Sequence, residues 1–320
     1  MKKTLKRISI TLGILIGIIV LFIAISYINH RVKLSKEDQL IAPLGQLVEV
    51  NGHKLNVYTE GQGDVTLVFM SGGGTCSPIL DFKSLYSLLS KKYRIVVIEK
   101  SGYGFSEISN TARDIDTVLF ETREALAQAG ISGKFILCPH SMSGIEALYW
   151  KQLYPNEINA IVGLDMAVPQ SYEQYRINMP LIKLGAFGAN TGVTRWFPNI
   201  AEDSAAIKYG SLSNEEIELH KMIFYRRTAT KSMLGEVKEI KKSAHKVAEI
   251  GIPSVPILLF SSNGQGTGWT KDQWRKCQKD FIQNNDNCKL IELDCSHYVH
   301  NIEYNLIANE IESFIDSLNE

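Results

Sequence analysis

The chain has 320 residues, of which 45% are hydrophobic and 21% are charged, an ordinary composition for a protein with one large domain or two smaller ones. The formal net charge is +0, and no basic face marks a nucleic-acid-binding protein. No cysteine spacing is typical of a metal site, so we expect neither a metal nor a cofactor. The odd number of cysteines disfavours a complete disulfide framework, although Cys277, Cys288 and Cys295 are close enough in sequence for one bridge.

The amino terminus predicts a membrane anchor. Ile8 to Ile28 is uncharged and has about 21 residues, enough at about 1.5 Å per residue to cross a hydrocarbon core of about 30 Å. A cleaved signal peptide would have a shorter apolar run that ends in small residues, and this run does neither. Because four basic residues precede the run, we expect residues 1–30 to form a cytoplasmic stub and a single-pass anchor, with the remainder on the extracytoplasmic side of the cell membrane. Residues 31–44 are predicted as a linker.

After the linker, strand patterns alternate with helical ones. Polar and apolar residues alternate on both sides of Asn51-Gly52, which predicts a β-hairpin with a two-residue turn. Continuous apolar runs predict buried strands at 65–70, 93–98, 135–138, 158–164, 255–260 and 289–293. Helical spacing separates most of these runs, which predicts a mostly parallel sheet with helices on both faces.

One long interruption separates two parts of this pattern. Residues 166–252 have helical periodicity, so we predict a helical cap there, inserted into a core formed by residues 45–165 and 253–320. Six large apolar residues of the cap are candidates for a pocket that holds an apolar acyl or aromatic group, although packing within the cap would explain them equally well: Phe187, Trp196, Phe197, Met222, Phe224 and Tyr225.

Ser141 follows the strand at 135–138 and precedes a helical segment. This order of strand, tight turn and helix is typical of a nucleophile elbow, in which a strained turn exposes a serine hydroxyl. Pro139 and Ser143 stand where the usual G-x-S-x-G pattern has glycines. A serine at this position could instead serve only as the amino-terminal cap of the helix.

Four segments in chain order carry a resemblance to the α/β-hydrolase family over about residues 45–318. They are Ser71-Gly72-Gly73, the Glu99–Ser106 segment EKSGYGFS, the elbow at Pro139–Ser143 and the segment Asp294-Cys295-Ser296-His297-Tyr298. The resemblance implies an α/β fold with an eight-stranded, mostly parallel sheet. It also implies a capped serine hydrolase in which Ser141 is the nucleophile and His297 its general base, with His300 as a weaker candidate for the base. Backbone amides of Gly73 and Met142 would form the oxyanion hole.

The resemblance leaves the acid of the triad open. The family most often supplies it after the strand at 255–260, but residues 261–266 contain no carboxylate. In a variant of the family the acid lies one strand earlier, which here is Asp165. Asp294, a neutral Asn263, or no acid at all are the alternatives.

A serine nucleophile excludes the dehalogenase and epoxide-hydrolase branches of the family, which use aspartate. It implies hydrolysis of an ester, thioester or amide with a small-molecule or lipid-like acyl group. A carboxylic ester is the first expectation, and an aminopeptidase shares the same architecture. The competing hypothesis is a catalytically inactive, membrane-tethered binding module, since the elbow departs from the usual pattern.

Overall fold

The computed structural model describes residues 2–283, 285 and 287–318. The ends of the predicted anchor and core, at residues 1 and 319–320, lie outside the described residues. The strands are β1 Gln46–Val50, β2 His53–Glu60, β3 Thr66–Met70, β4 Arg94–Glu99, β5 Phe135–Pro139, β6 Ile158–Leu164, β7 Ile257–Ser261 and β8 Cys288–Glu292. The helices are α1 Lys2–Glu37, α2 Pro78–Leu89, α3 Ile115–Gln128, α4 Ser143–Leu153, α5 Met179–Asn190, α6 Asn199–Glu202, α7 Ala205–Lys208, α8 Asn214–Arg227, α9 Lys231–Ile250, α10 Lys271–Ile282, α11 Val299–Ile302 and α12 Tyr304–Ser317.

The eight strands form one sheet in the order β1-β2-β4-β3-β5-β6-β7-β8. The β1–β2 and β2–β4 pairs are antiparallel and every later pair is parallel, as predicted. Val50 pairs with His53 across the turn, and Asn51 and Gly52 have φ of 51° and 77°. These left-handed values are those of a two-residue hairpin turn, which an Asn-Gly pair adopts readily.

The sheet is covered on both faces. Every residue of β3, β5 and β7 is buried, which explains their continuous apolar sequence. Alternate residues of the strands β3 to β7 enter two separate cores. One core includes Val68 and Leu148 of α4, and the other includes Phe69 and Phe82 of α2.

The segment between β6 and β7 contains α5 to α9 and contacts the loops that follow β3 and β4, through Thr228 with Cys76 and Ser232 with Ser101. The longest of these helices, α9, packs against α4 of the core. Its buried residues Met233, Ile240 and Val247 recur every seven positions, so one stripe of the helix faces the core. The same helix turns Glu236 inward to Lys100 and Tyr103, whose polar atoms lie 2.9 Å from its carboxylate.

Helix α1 is long and apolar enough to cross a membrane. It continues to Glu37, so the linker predicted at 31–44 is helical over its whole first half, residues 31–37. The reason lies in tertiary contacts, because Arg195 of the cap binds the Glu37 carboxylate through two nitrogens, at 2.7 and 2.8 Å. Trp196 Nε1 also donates to Ser26 Oγ at 3.1 Å.

All five cysteines are free, so the bridge left open among Cys277, Cys288 and Cys295 does not form. Burial raises the pKa of the Cys138 thiol well above its ordinary value. This cysteine therefore acts as a small apolar side chain in the strand before the elbow.

Candidate active site

Ser141 lies at the apex of the turn between β5 and α4. Its φ is 53°, in the left-handed region that residues other than glycine rarely occupy. Two backbone hydrogen bonds join the turn to neighbouring strand ends. His140 N donates to Met70 O at 3.0 Å, and Ala167 N donates to Ser141 O at 2.8 Å. The strain at Ser141 is therefore imposed by two neighbouring strand ends, as expected of a nucleophile elbow.

The two residues that replace the usual glycines are both accommodated. The ladder between β5 and β6 stops at Leu137 and resumes only as a single bridge at His140, so Pro139 is unpaired on the β6 side, while it pairs with Met70 on the β3 side. Ser143 Oγ donates to the carbonyls of Met70 and His140, at 2.7 and 2.8 Å, and thereby ties the elbow to the end of β3.

Gly144 is instead the residue at which the elbow approaches the backbone after β6 closely. A Cβ at this position would lie 2.2 Å from the carbonyl oxygen of Ala167. Gly144 thus allows α4 to pack against the segment after β6, one residue later than the usual pattern places its glycine. Only the contact with Ala167 shows the role of this glycine.

Asp165 directly follows β6, is fully buried and has a φ of 50°. Its Oδ2 atom lies 2.6 Å from Nδ1 of His297. Its Oδ1 atom accepts hydrogen bonds from Trp274 Nε1 at 2.7 Å and from the backbone amide of Ser262 at 2.8 Å. A carboxylate with three such contacts is well stabilised although it is buried.

Trp274 and the Ser262 amide were not found from the sequence. Ser262 follows β7, where the family most often has its acid, so this strand end supplies a donor to the carboxylate on the neighbouring strand. Trp274 carries no motif, although a tryptophan that becomes buried usually needs a partner for its indole N–H.

The alternative acids and base lie elsewhere. Asp294 is exposed over 86% of its side chain and pairs with Lys271. Asn263 Oδ1 accepts the backbone amide of Gln265 at 3.0 Å. His300 Nε2 lies 2.8 Å from Asp81 Oδ2, so it faces a different carboxylate from His297.

The glycine segment after β3 lies against the elbow. A Cβ on Gly72 would lie 2.8 Å from Cβ of Ser141, and one on Gly73 would lie 2.9 Å from Cε of Met142. The backbone amides of Gly73 and Met142 donate to no other group in the part of the chain that the structure describes. Two amides without a partner beside Ser141 suit the stabilisation of an oxyanion.

A cavity of about 390 Å³ brings these groups together. Ser141, His297, Gly73 and Met142 line it, and the cap and later loops supply further walls that include Tyr172, Tyr175, Ile177, Leu181, Ile182, Val237, Ile240, Trp269 and Trp274. The six cap residues expected in a pocket are absent from these walls. Phe187, Trp196 and Phe197 are instead exposed on the surface.

A buried polar cluster lies behind the cavity. Potential ligand atoms of Asp81, His140 and His300 all lie within 4.8 Å of one another. Asp81 is already hydrogen-bonded to His300, however, and the ring of His140 packs against that of His297 with centroids 4.6 Å apart. Burial, and then the neighbouring His297, lower the pKa of His140 well below its ordinary value. A neutral His140 therefore packs beside His297 without placing a positive charge there.

Known proteins share this architecture. The chain is 35% identical over 305 residues to the uncharacterized protein YbdG of Bacillus subtilis (strain 168), which covers 93% of this chain and 94% of that protein. No protein-family model matches the chain. The structure of epoxide hydrolase VrEH1 from Vigna radiata is similar with a TM-score of 0.64, at 18% identity over 85% of this chain and 97% of that one. The structure of an enol-lactonase from Burkholderia xenovorans LB400 is similar with a TM-score of 0.62, at 16% identity over 85% of this chain and 100% of that one. These likenesses confirm the α/β-hydrolase fold.

Proposed function

Because the chain belongs to the same family as YbdG of Bacillus subtilis and has the α/β-hydrolase fold, we propose that it is a serine hydrolase that cleaves a carboxylic ester through an acyl-enzyme. Structural neighbours that are hydrolases support hydrolysis in general. The observation that carries the finer proposal is the Asp165–His297 pair, 2.6 Å apart, in the cavity that Ser141 also lines.

In this mechanism His297 accepts the proton of the Ser141 hydroxyl as its Oγ atom attacks the carbonyl carbon of the substrate. The carbonyl π-electrons move to oxygen, and the amides of Gly73 and Met142 stabilise the resulting negative charge. His297 then returns the proton to the leaving alcohol, which leaves the acyl group on Ser141. Water, activated by His297 in the same way, releases the acid. Asp165 orients the imidazole and stabilises its protonated form.

The walls of the cavity disfavour a positively charged substrate. Among the described residues that line it there is no Asp or Glu, and Arg176 is the fixed positive charge. An aminopeptidase must bind a charged amino group, for which a carboxylate is the usual partner. The predominantly apolar and aromatic walls therefore favour an ester with an apolar acyl group over an aminoacyl amide.

We also propose that α1 anchors the protein in the cell membrane. The basic residues Lys2, Lys3, Lys6 and Arg7 would remain in the cytoplasm, and the hydrolase domain would lie on the opposite side. Detection of a mature protein that lacks residues 1–28 in the medium would contradict this anchor.

Labelling with a fluorophosphonate probe tests the nucleophile. We expect the wild-type chain and a Ser313→Ala control to be labelled, because Ser313 is an exposed serine on α12, and Ser141→Ala to remain unlabelled. Wild type and Ser313→Ala should also hydrolyse short aryl esters, and Ser141→Ala should not. If the wild type is neither labelled nor active, the inactive binding module is favoured. Equal labelling of wild type and Ser141→Ala would also contradict the proposal.

A further inference from the structure

The cap exposes an apolar surface beside the active-site cavity. We call it the cap face and define it by six large side chains that are about half exposed or more: Leu181, Leu184, Phe187, Trp196, Phe197 and Ile200. Leu184 and Phe187 are 65% and 50% exposed although they belong to a regular helix, α5. Leu181, Leu184 and Phe187 recur every three positions, so they lie along one side of α5, and exposed apolar side chains grouped in this way usually mark a contact surface.

The cap face is continuous with the apolar surface of α1. The rings of Phe22 and Trp196 have centroids 5.7 Å apart, and Trp196 Nε1 donates to Ser26 Oγ. These contacts lie near the end of the uncharged run Ile8–Ile28, where a membrane-spanning helix leaves the hydrocarbon core. Tryptophan is enriched at this depth because its ring is apolar and its N–H is polar.

Charge along the cap face also suits a bilayer surface. Residues 174–201 include the basic residues Arg176, Lys183 and Arg195 and contain no Asp or Glu. Arg195 is itself bound to Glu37, which leaves Arg176 and Lys183 as cations close to the apolar side chains. Basic residues near an apolar surface are attracted to anionic lipid headgroups.

The cap face borders the mouth of the cavity. Leu181 is 62% exposed and yet lines the cavity, together with Asn178 and Ile182 of the same segment. Helix α5 therefore contributes both to a wall of the active-site cavity and to the exposed apolar surface, and Leu181 belongs to both.

On these observations we infer that the cap face lies in the lipid headgroup region beside α1 and that the cavity takes the acyl chain of a membrane lipid ester directly from the bilayer. This inference rests on the proposed serine hydrolase and names its substrate class. The bilayer is the occupant that the contacts favour, because α1 and the cap are joined by Trp196 and Arg195, which places the cap at the membrane whenever α1 crosses it.

Two esters separate this inference from the proposed function. The full-length protein is placed in nanodiscs of phosphatidylglycerol and phosphatidylethanolamine with a long-chain phospholipid that carries a fluorogenic acyl group, and a soluble aryl acetate is assayed in parallel. The test variant is Leu184→Asp with Phe187→Asp, since neither residue lines the cavity. The matched control is Ile108→Asp with Phe120→Asp, two comparably exposed apolar residues outside the cap.

We expect the cap-face variant to lower turnover of the phospholipid by about tenfold or more, because two apolar side chains lose their contact with lipid. Hydrolysis of the aryl acetate should stay within about twofold of wild type, and the control should change neither activity. If all three proteins turn over the phospholipid equally and hydrolyse the aryl acetate, the membrane-lipid inference is overturned while the proposed serine hydrolase stands.

If neither ester is hydrolysed, the proposed function is contradicted. A measurement that needs no catalysis still tests whether the cap face contacts the bilayer. Phe187→Trp and Phe120→Trp each add one indole to the full-length protein. In nanodiscs with brominated phospholipid we expect quenching of the indole at position 187 and none at position 120, relative to wild type. Equal quenching, or none at either position, would overturn the placement of the cap face at the bilayer.

Discussion

Asp165 Oδ2 lies 2.6 Å from His297 Nδ1, although these residues are 132 positions apart in the chain. The carboxylate follows β6, next to the strand that carries Ser141, while the imidazole lies between β8 and α11. The end of β7 lies between these elements in the sheet and contributes the Ser262 amide to Asp165. The ends of three adjacent strands thus supply these groups: β6 is followed by Asp165, β7 by Ser262 and β8 by His297.

The first prediction concerns this carboxylate. Asp165→Asn should lower kcat for ester hydrolysis by about 10³- to 10⁴-fold with little change in KM, because an amide cannot hold the required imidazole tautomer. Asp294→Asn should stay within about twofold of wild type, since the Asp294 side chain is exposed and pairs with Lys271. Steady-state kinetics with circular dichroism of both variants provide the check. A reversal of the two effects would transfer the role of the acid to Asp294.

The second prediction concerns the indole that supports Asp165. Trp274→Phe removes the N–H that donates to Oδ1 at 2.7 Å, and we expect kcat to fall by about tenfold, as for the loss of one hydrogen bond to a charged group. Trp269→Phe is the matched variant, because Trp269 lines the same cavity and its ring packs at a tilted angle against Tyr175 instead. It should alter KM more than kcat. Equal kcat values for the two variants would contradict a role for Trp274 in positioning the acid.

The third prediction concerns the elbow. Gly144→Ala should destabilise the protein by about 1–3 kcal/mol, because its Cβ would lie 2.2 Å from the Ala167 carbonyl oxygen, which belongs to a packed backbone. Gly185→Ala is the control, since nothing lies within 4 Å of a Cβ there. Alanine within α5 should be neutral or stabilising by about 0.5–1 kcal/mol. Denaturant unfolding of the full-length protein in detergent measures both, and a neutral Gly144→Ala would refute the close approach.

The fourth prediction concerns pH and Glu99, a buried residue at the end of β4. Burial raises the pKa of its carboxyl group from 4.5 to about 7, while hydrogen bonds from the Phe105 amide and Asn56 only partly offset that shift. A carboxyl group whose pKa is raised in the folded state stabilises the fold below its unfolded pKa, and this contribution is lost as pH rises through the folded value.

Between pH 4.5 and 7 the free energy of unfolding of wild type should therefore fall, relative to Glu99→Gln, by about 3 kcal/mol. Glutamine retains an acceptor oxygen for the Phe105 amide and carries no ionisable proton. Unfolding curves at several pH values give the difference between the two proteins. A difference that is constant with pH would show that the Glu99 carboxyl group is not perturbed.

Local sequence patterns determined most of the architecture. The hairpin at Asn51-Gly52, the buried strands and the helix α9 depend on periodicities of two and 3.6 residues and on turn conformations, which involve only neighbours in the chain. For the same reason the elbow around Ser141 and the loop of His297 could be located from short motifs in chain order.

Contacts between distant segments decided the rest. Whether Asp165, Asp294 or Asn263 approaches His297 depends on which strand ends are adjacent in the sheet, and short motifs do not encode that adjacency. The continuation of α1 to Glu37 depends on Arg195 of the cap, and the outward orientation of Phe187 depends on how α5 packs. The sequence by itself identified Ser141 and His297 as the candidate nucleophile and base. Only the sheet order brought Asp165 to the imidazole, since a hydrogen bond of 2.6 Å is a property of the folded backbone.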